Sequence, residues 1–183
     1  TMGTDQIAAW GICDKLNMLI WLMSDSMGPA LTTFVAQNLG AKNPERIRKG
    51  VTMGTSMSVG AVALISVGLF LFARILTPLF VSSQDAASLG VLVGTYSRMM
   101  APFFFFYAIA EALSGACCGT GDTVRPMITT LLTICLLRVI GILLVLPIYG
   151  TMECIVVIYI ASWIAAGVSF LILWRFDVSH ISK

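Results

Sequence analysis

Residues 51–72 contain no charged side chain. A helix crosses the hydrocarbon core of a bilayer with about 20 predominantly apolar residues. This run is long enough, and four more follow the same pattern at 7–39, 89–118, 127–148 and 154–174. Composition agrees: 58% of the 183 residues are hydrophobic and 11% are charged, against about 25% charged in a soluble domain. In lipid every backbone N–H and C=O must be satisfied within its own segment, so such runs fold as helices. The expected fold class is an all-α integral membrane protein, one multi-helix bundle over 1–183 with five transmembrane helices. The partner it needs first is the lipid bilayer. The net charge of +2 decides nothing by itself, and no nucleic-acid partner is expected.

The breaks between runs have turn and cap chemistry. Gly40-Ala-Lys-Asn-Pro-Glu-Arg-Ile-Arg-Lys is a first hinge, with Asn43 able to cap a helix that Pro44 begins. Gly119-Thr-Gly-Asp-Thr-Val-Arg-Pro is a second, with Asp122 as cap and Pro126 in the next first turn. Lys42, Arg46, Arg48, Lys49, Arg125, Arg175 and Lys183 lie on these hinges and the tail, whereas only Arg74 marks the opposite ends. Basic loops stay cytoplasmic, so the N-terminus is expected outside and the C-terminus inside, in a multi-pass plasma membrane protein. The weakly acidic stretch 81–88 and the turn at Tyr149-Gly-Thr-Met-Glu are expected outside. Gly50-x-x-x-Gly54, Gly90-x-x-x-Gly94 and Gly115-x-x-x-Gly119 predict close helix approach. Pro102 interrupts the third run.

Charges inside the runs are candidate functional groups, because an ionisable residue in a membrane is expensive. Asp25 lies four residues before Pro29. That proline cannot donate to the Asp25 carbonyl, so two oxygens are expected at one level of the first helix. Asp14 is eleven positions earlier and returns to nearly the same face. Counting about 1.5 Å per residue from the basic ends, Asp25 lies about 21 Å deep, Arg138 about 18 Å and Glu111 about 12 Å. Glu111 and Arg138 are therefore expected within reach of each other, as a buried structural pair or as part of a transport site. The aromatic run Phe103 to Tyr107 has no single face and reads as packing. The five cysteines lie in apolar runs without metal spacing and read as small packed thiols. No catalytic residue, cofactor or metal centre is expected. The opening Thr1-Met-Gly-Thr-Asp lacks the pattern of a signal peptide and reads as a chain entered at a loop.

Two long motifs carry a family resemblance. Gly28-Pro-Ala-Leu-Thr-Thr-Phe-Val-Ala-Gln-Asn-Leu-Gly-Ala-Lys-Asn-Pro-Glu-Arg resembles the helix-and-loop motif of the multidrug and toxic compound extrusion (MATE) transporters, including its Gln37-Asn38-x-Gly40-Ala41 core. Glu111 through Met127 resembles that family's Gly-x-Gly-Asp-Thr-x-x-Pro segment, here Gly119, Gly121, Asp122 and Pro126. Arg138 and Ser162-Trp163 are also similar to family positions. Cys117-Cys118 stands where many relatives have a basic residue. The resemblance implies most of the carboxy-terminal half of a twelve-helix transporter, without that half's first helix, in a bacterial inner membrane. It implies a non-enzymatic antiporter that exports small organic cations against Na⁺ or H⁺ by alternating access. Its partner is the N-terminal lobe or a second copy. Asp25, Glu111 and Asp14, in that order, are then the carboxylates for coupling ion and substrate, with Na⁺ at Asp25 or Glu111 and Arg138 beside them. Gly28, Pro29, Gln37, Asn38, Gly40, Ala41, Pro102, Gly119, Gly121 and Pro126 are the hinge and motif positions.

Alternatives remain open at this point. A lipid-linked precursor flippase of the same broad fold group would have a cavity richer in arginine, and Arg98 and Arg138 suit it. A half-bundle alone reads as a non-transporting assembly partner. A remote reading is an intramembrane aspartyl protease, since Gly119-Thr-Gly-Asp and Pro29-Ala-Leu occur, but in the wrong order.

Overall fold

The structure is a computed structural model and describes residues 4–80 and 86–181. The 81–85 part of the acidic loop, the opening residues 1–3 and the tail's Lys183 lie outside them. Among the described residues there is no strand. The chain forms α1 (Thr4–Gly40), α2 (Pro44–Leu76) with a closing 3₁₀ turn (Thr77–Leu79), α3 (Ala86–Met100), a 3₁₀ turn (Ala101–Phe103), α4 (Phe104–Gly119), α5 (Val124–Thr130), a π-helical segment (Leu131–Leu136), α6 (Leu137–Tyr149) and α7 (Met152–Ile181). The five expected runs are therefore five helical rods. Pro102 sits in the turn that divides the third, as expected from its missing N–H. The fourth contains a π segment that the sequence does not announce.

The count of spans needs correction. Among the described residues four rods are long and apolar enough to cross a membrane: Pro44–Leu79, Ser88–Gly119, Val124–Tyr149 and Met152–Ser179. The run expected at 7–39 is helical over 37 residues but is not one of the four. It carries Asp5, Asp14, Lys15 and Asp25 together with Asn17, Ser24, Thr32 and Thr33. Asn17 and Ser24 are buried where α1 packs along α4, α2 and α3, whereas Asp5, Asp14, Lys15, Asp25 and Thr33 are exposed. The buried seam Ala9, Ile12, Cys13, Leu16, Ile20, Ser24, Gly28, Leu31 and Val35 repeats every three or four residues, the helical period.

Local chemistry makes both hinges. Asn43 Oδ1 accepts the Arg46 amide at 3.1 Å, with Pro44 opening α2. At the end of α1 the left-handed residue is Lys42, with φ of 53°, rather than Gly40. The Asn43 amide reaches the Asn38 carbonyl and the Lys42 amide reaches that of Leu39, both at 3.0 Å, which is a Schellman ending. Asn38 is buried and donates to the Phe34 carbonyl at 2.7 Å, whereas Gln37 is exposed. In the second hinge Gly121 takes a φ of 95°, a conformation that suits glycine.

The core has two parts. One lies at the far end from the hinges and includes Ile20, Val62, Tyr96, Met100, Phe104 and Trp163. The other lies at the hinge end and includes Leu31, Val35, Ile47, Val51, Leu113 and Phe170. Both draw on α1, α2, α4 and α7. The expected glycine contacts form: a Cβ on Gly50 would meet the Phe34 ring at 2.2 Å, and one on Gly54 would meet Leu31 at 2.8 Å. Gly90 and Gly94 lie against Arg74. The rod from α5 to α6 rests on α7 and leaves Leu131, Leu143, Leu144 and Ile148 exposed, a face suited to lipid.

Candidate functional site

Between the two core parts, α1 crosses α4 almost backbone to backbone. A Cβ on Gly115 would lie 2.1 Å from the Gly28 carbonyl oxygen, and one on Gly119 would lie 2.7 Å from that of Thr32. The Thr32 hydroxyl is shared between the carbonyls of Gly115 at 2.8 Å and Gly28 at 3.0 Å. This close approach brings the carboxylate of α1 against the polar face of α4. Tyr107 Oη donates to Asp25 Oδ1 at 2.8 Å. Glu111 stands one helical turn beyond Tyr107 on the same face. Its backbone oxygen lies 3.5 Å from where a Gly28 Cβ would be. The Asp25 carboxylate and the Tyr107 phenol therefore meet between α1 and α4, with Glu111 one turn further along α4.

Arg138 does not pair with Glu111, contrary to the expectation from depth. Its Nε donates to Ser162 Oγ at 2.8 Å, and its guanidinium carbon sits 4.0 Å from the centre of the Tyr159 ring. The reason is direction: α6 leans on α7, so the side chain lies along α7 rather than crossing to α4. Tyr107 and Tyr159 each lie 6.2 Å from Trp163, centroid to centroid. The packing reading of the aromatic run is thus corrected in one place. Phe104 does pack, at 4.9 Å from Trp163, but Tyr107 belongs to the site. Its spacing of four from Glu111 was the signal available.

Other candidates lie elsewhere. Asp14 is three turns from Asp25, about 16 Å along α1, and joins neither carboxylate. Arg98 donates through Nε to the Phe70 carbonyl at 3.5 Å and faces α2. Asp122 caps α5, its Oδ1 accepting the amides of Val124 and Arg125 at 3.0 and 3.2 Å. The Arg125 guanidinium also bonds it, and this holds the Asp122 carboxyl below the usual carboxylate range. The same arginine reaches the buried Asp177 of α7 at 3.0 Å, a contact the sequence analysis missed. Pro126 is buried at the start of α5, and Pro29 continues α1 without a break. Among the described residues no group of three or more His, Cys, Asp or Glu is arranged to hold a metal ion.

The sequence matches the family model MatE over residues 1–144. It is similar to a probable multidrug resistance protein NorM of Thermotoga maritima, 27% identical over 132 residues, covering 72% of this chain and 28% of that protein. It is 24% identical to a probable multidrug resistance protein YpnP of Bacillus subtilis over 74% of this chain and 30% of that protein. Protein DETOXIFICATION 14 of Arabidopsis thaliana is 31% identical over 60% of this chain and 22% of its own length. The chain spans less than a third of the length of these curated relatives.

Proposed function

From the fact that this chain belongs to the MatE family, we propose that it forms most of one lobe of a multi-pass membrane transporter that exports organic cations in exchange for Na⁺ or H⁺. The observation that carries the reading is the Tyr107–Asp25 hydrogen bond beside Glu111. Carboxylates in a membrane bundle attract a cation, and each can hold only one partner at a time. A coupling ion and an organic cation that compete for Asp25 and Glu111 exchange by mass action when the cavity opens to each side in turn. Carboxylate, phenol and backbone oxygens suit a hard cation such as Na⁺, and the carboxylates alone suit a proton. The lobe rocks against an N-terminal lobe or a second copy, with its basic hinges cytoplasmic. The relatives' names as multidrug resistance proteins support efflux.

The test is ethidium efflux from cells carrying the complete gene product, wild type against Asp25→Asn, with Na⁺ and pH varied separately. Loss of efflux at normal membrane expression is expected. Unchanged efflux would leave Asp25 as a helix feature only. A wild type that moves no organic cation would overturn the reading and favour a lipid-linked precursor as substrate.

A further inference from the structure

Lys42, Arg46, Arg48 and Lys49 fall within eight residues, and Glu45 is the one carboxylate among them. Glu45 is taken by Lys49 at 2.7 Å on the exposed surface. Arg48 is exposed and has no carboxylate in ion-pair range among the described residues. These cations stand where the Pro44–Leu79 span begins, at the level of lipid headgroups. Arg48 and Lys49 border an open depression of about 560 Å³ together with Thr52 and Met53. Thr52 also lines a second recess, a groove of about 460 Å³ between α2, α4 and α7. Arg48, Thr52, Thr55 and Val59 recur every three or four residues, so the cation and the groove share one line of α2. Across the groove stand Leu113 of α4 and Leu171 and Trp174 of α7. From Thr52 to Gly60 the groove follows α2 for about 12 Å. A Cβ on Gly60 would meet nothing within 4 Å, so its deep end is open.

We propose that this groove seats one anionic phospholipid of the leaflet at the hinge end. Its phosphate lies against Arg48 and Lys49, and one acyl chain lies along Val59 and Gly60 beside Trp174. A basic recess between membrane helices is complementary to such a headgroup, and the apolar slot that continues from it is complementary to a chain. Charge selects the lipid and the slot retains it. A free anion gains only the first of these, and an uncharged lipid only the second. The site is independent of what the protein transports.

Two lipids with the same chains and different headgroup charge test this. Dioleoylphosphatidylglycerol and dioleoylphosphatidylcholine are titrated into the complete gene product in detergent, and native mass spectrometry counts the lipids retained. Wild type is expected to hold the anionic lipid at least tenfold tighter. A cation at a membrane surface is worth about fivefold in such a preference. Arg48→Gln should lose about that factor, and adding Lys49→Gln should bring the two lipids within about twofold. Lys42→Asn removes one charge outside the groove, at a left-handed position that Asn tolerates, and should leave the preference unchanged. Gly60→Leu projects a side chain into the slot and should weaken the anionic lipid at least fivefold. Millimolar glycerol 3-phosphate should not displace it. Equal retention of both lipids by wild type would overturn the site. So would a loss in Lys42→Asn as large as in Arg48→Gln, which marks a diffuse basic surface, or an unchanged Gly60→Leu, which leaves the slot without a chain. Displacement by glycerol 3-phosphate would reduce it to a free-anion site and sink the lipid. Should the Arg48 variants fail to fold, Gly60→Leu and the wild-type comparison of the two lipids decide it.

Discussion

The Cα of Gly28 lies 2.6 Å from where a Cβ on Gly115 would be. No rotamer relieves that overlap, because the obstacle is backbone. Gly115→Ala must push α1 and α4 apart, and overpacking costs about 1–3 kcal/mol even where side chains can yield. The expected loss is therefore about 3 kcal/mol or more. Gly60, in the interior of α2 with nothing within 4 Å, is the control. Gly60→Ala should be neutral or stabilising by about 0.5–1 kcal/mol through helix propensity. Unfolding of both variants in mixed micelles decides it, and equal midpoints would contradict the crossing.

Tyr107→Phe removes one oxygen and keeps the ring beside Trp163. A hydrogen bond to a charged group contributes about 1.5–3 kcal/mol, a factor of roughly 10–150. If Asp25 works with its phenol, the half-saturating ethidium concentration should rise by that factor, with the unfolding midpoint little changed. A fall in the midpoint with unaltered half-saturation would mark Tyr107 as a packing residue.

Arg125 and Asp177 should respond unequally to substitution. Asp177 is buried and its Oδ2 has no hydrogen-bond partner among the described residues, while half the Arg125 side chain is exposed. Arg125→Ala leaves a buried carboxylate unpaired, the costly way to break an ion pair. Asp177→Asn leaves a half-exposed cation that still bonds Asp122 and is otherwise solvated by water. The first variant is expected to unfold at the lower temperature, and the reverse order would place the pair's importance on Asp177 instead.

The hinge carboxylate gives a pH prediction. Arg125 holds Asp122 below its ordinary range, so the native state binds the charged form better than the unfolded chain does. Its stabilisation is present above the unfolded value of about 3.9 and is lost as pH falls through the lower native value. Between pH 5 and 8 the unfolding midpoint should owe no pH dependence to this group. Asp122→Asn should flatten the acid limb only. Any pH dependence of efflux near neutrality then belongs to other groups, which efflux by Asp122→Asn across pH 5–8 would check.

Helices were readable where lipid dictates them: apolar length located the four rods, and Asn43, Pro44 and Asp122 marked their ends. The glycine pairs also announced themselves, because only small residues admit a neighbouring backbone. What could not be read was side-chain direction. Depth placed Arg138 near Glu111, but depth says nothing of azimuth, and the lean of α6 on α7 turned the guanidinium to Tyr159. The π segment before Arg138 has no signature among plain apolar residues, so the turn it adds was invisible. Tyr107 looked like one more ring in a run of four phenylalanines, and its hydroxyl acquired meaning only when the Gly28–Gly115 crossing brought Asp25 to it. Asp177, in a tail of mixed charges, gave no hint that it is buried.

Between Ile20 and Leu31 the first helix contributes no fully buried hydrophobic side chain. The frame on either side is clamped, since the same four helices are tied together at both ends. Torsion applied at the hinges is therefore passed along α1 through residues 21–30, which meet α4 backbone to backbone at Gly28. Asp25, Gly28 and Pro29 all fall within that stretch. The carboxylate is mounted on the shaft three residues from that crossing. A rotation of α1 against α4 about that contact carries the acid with it.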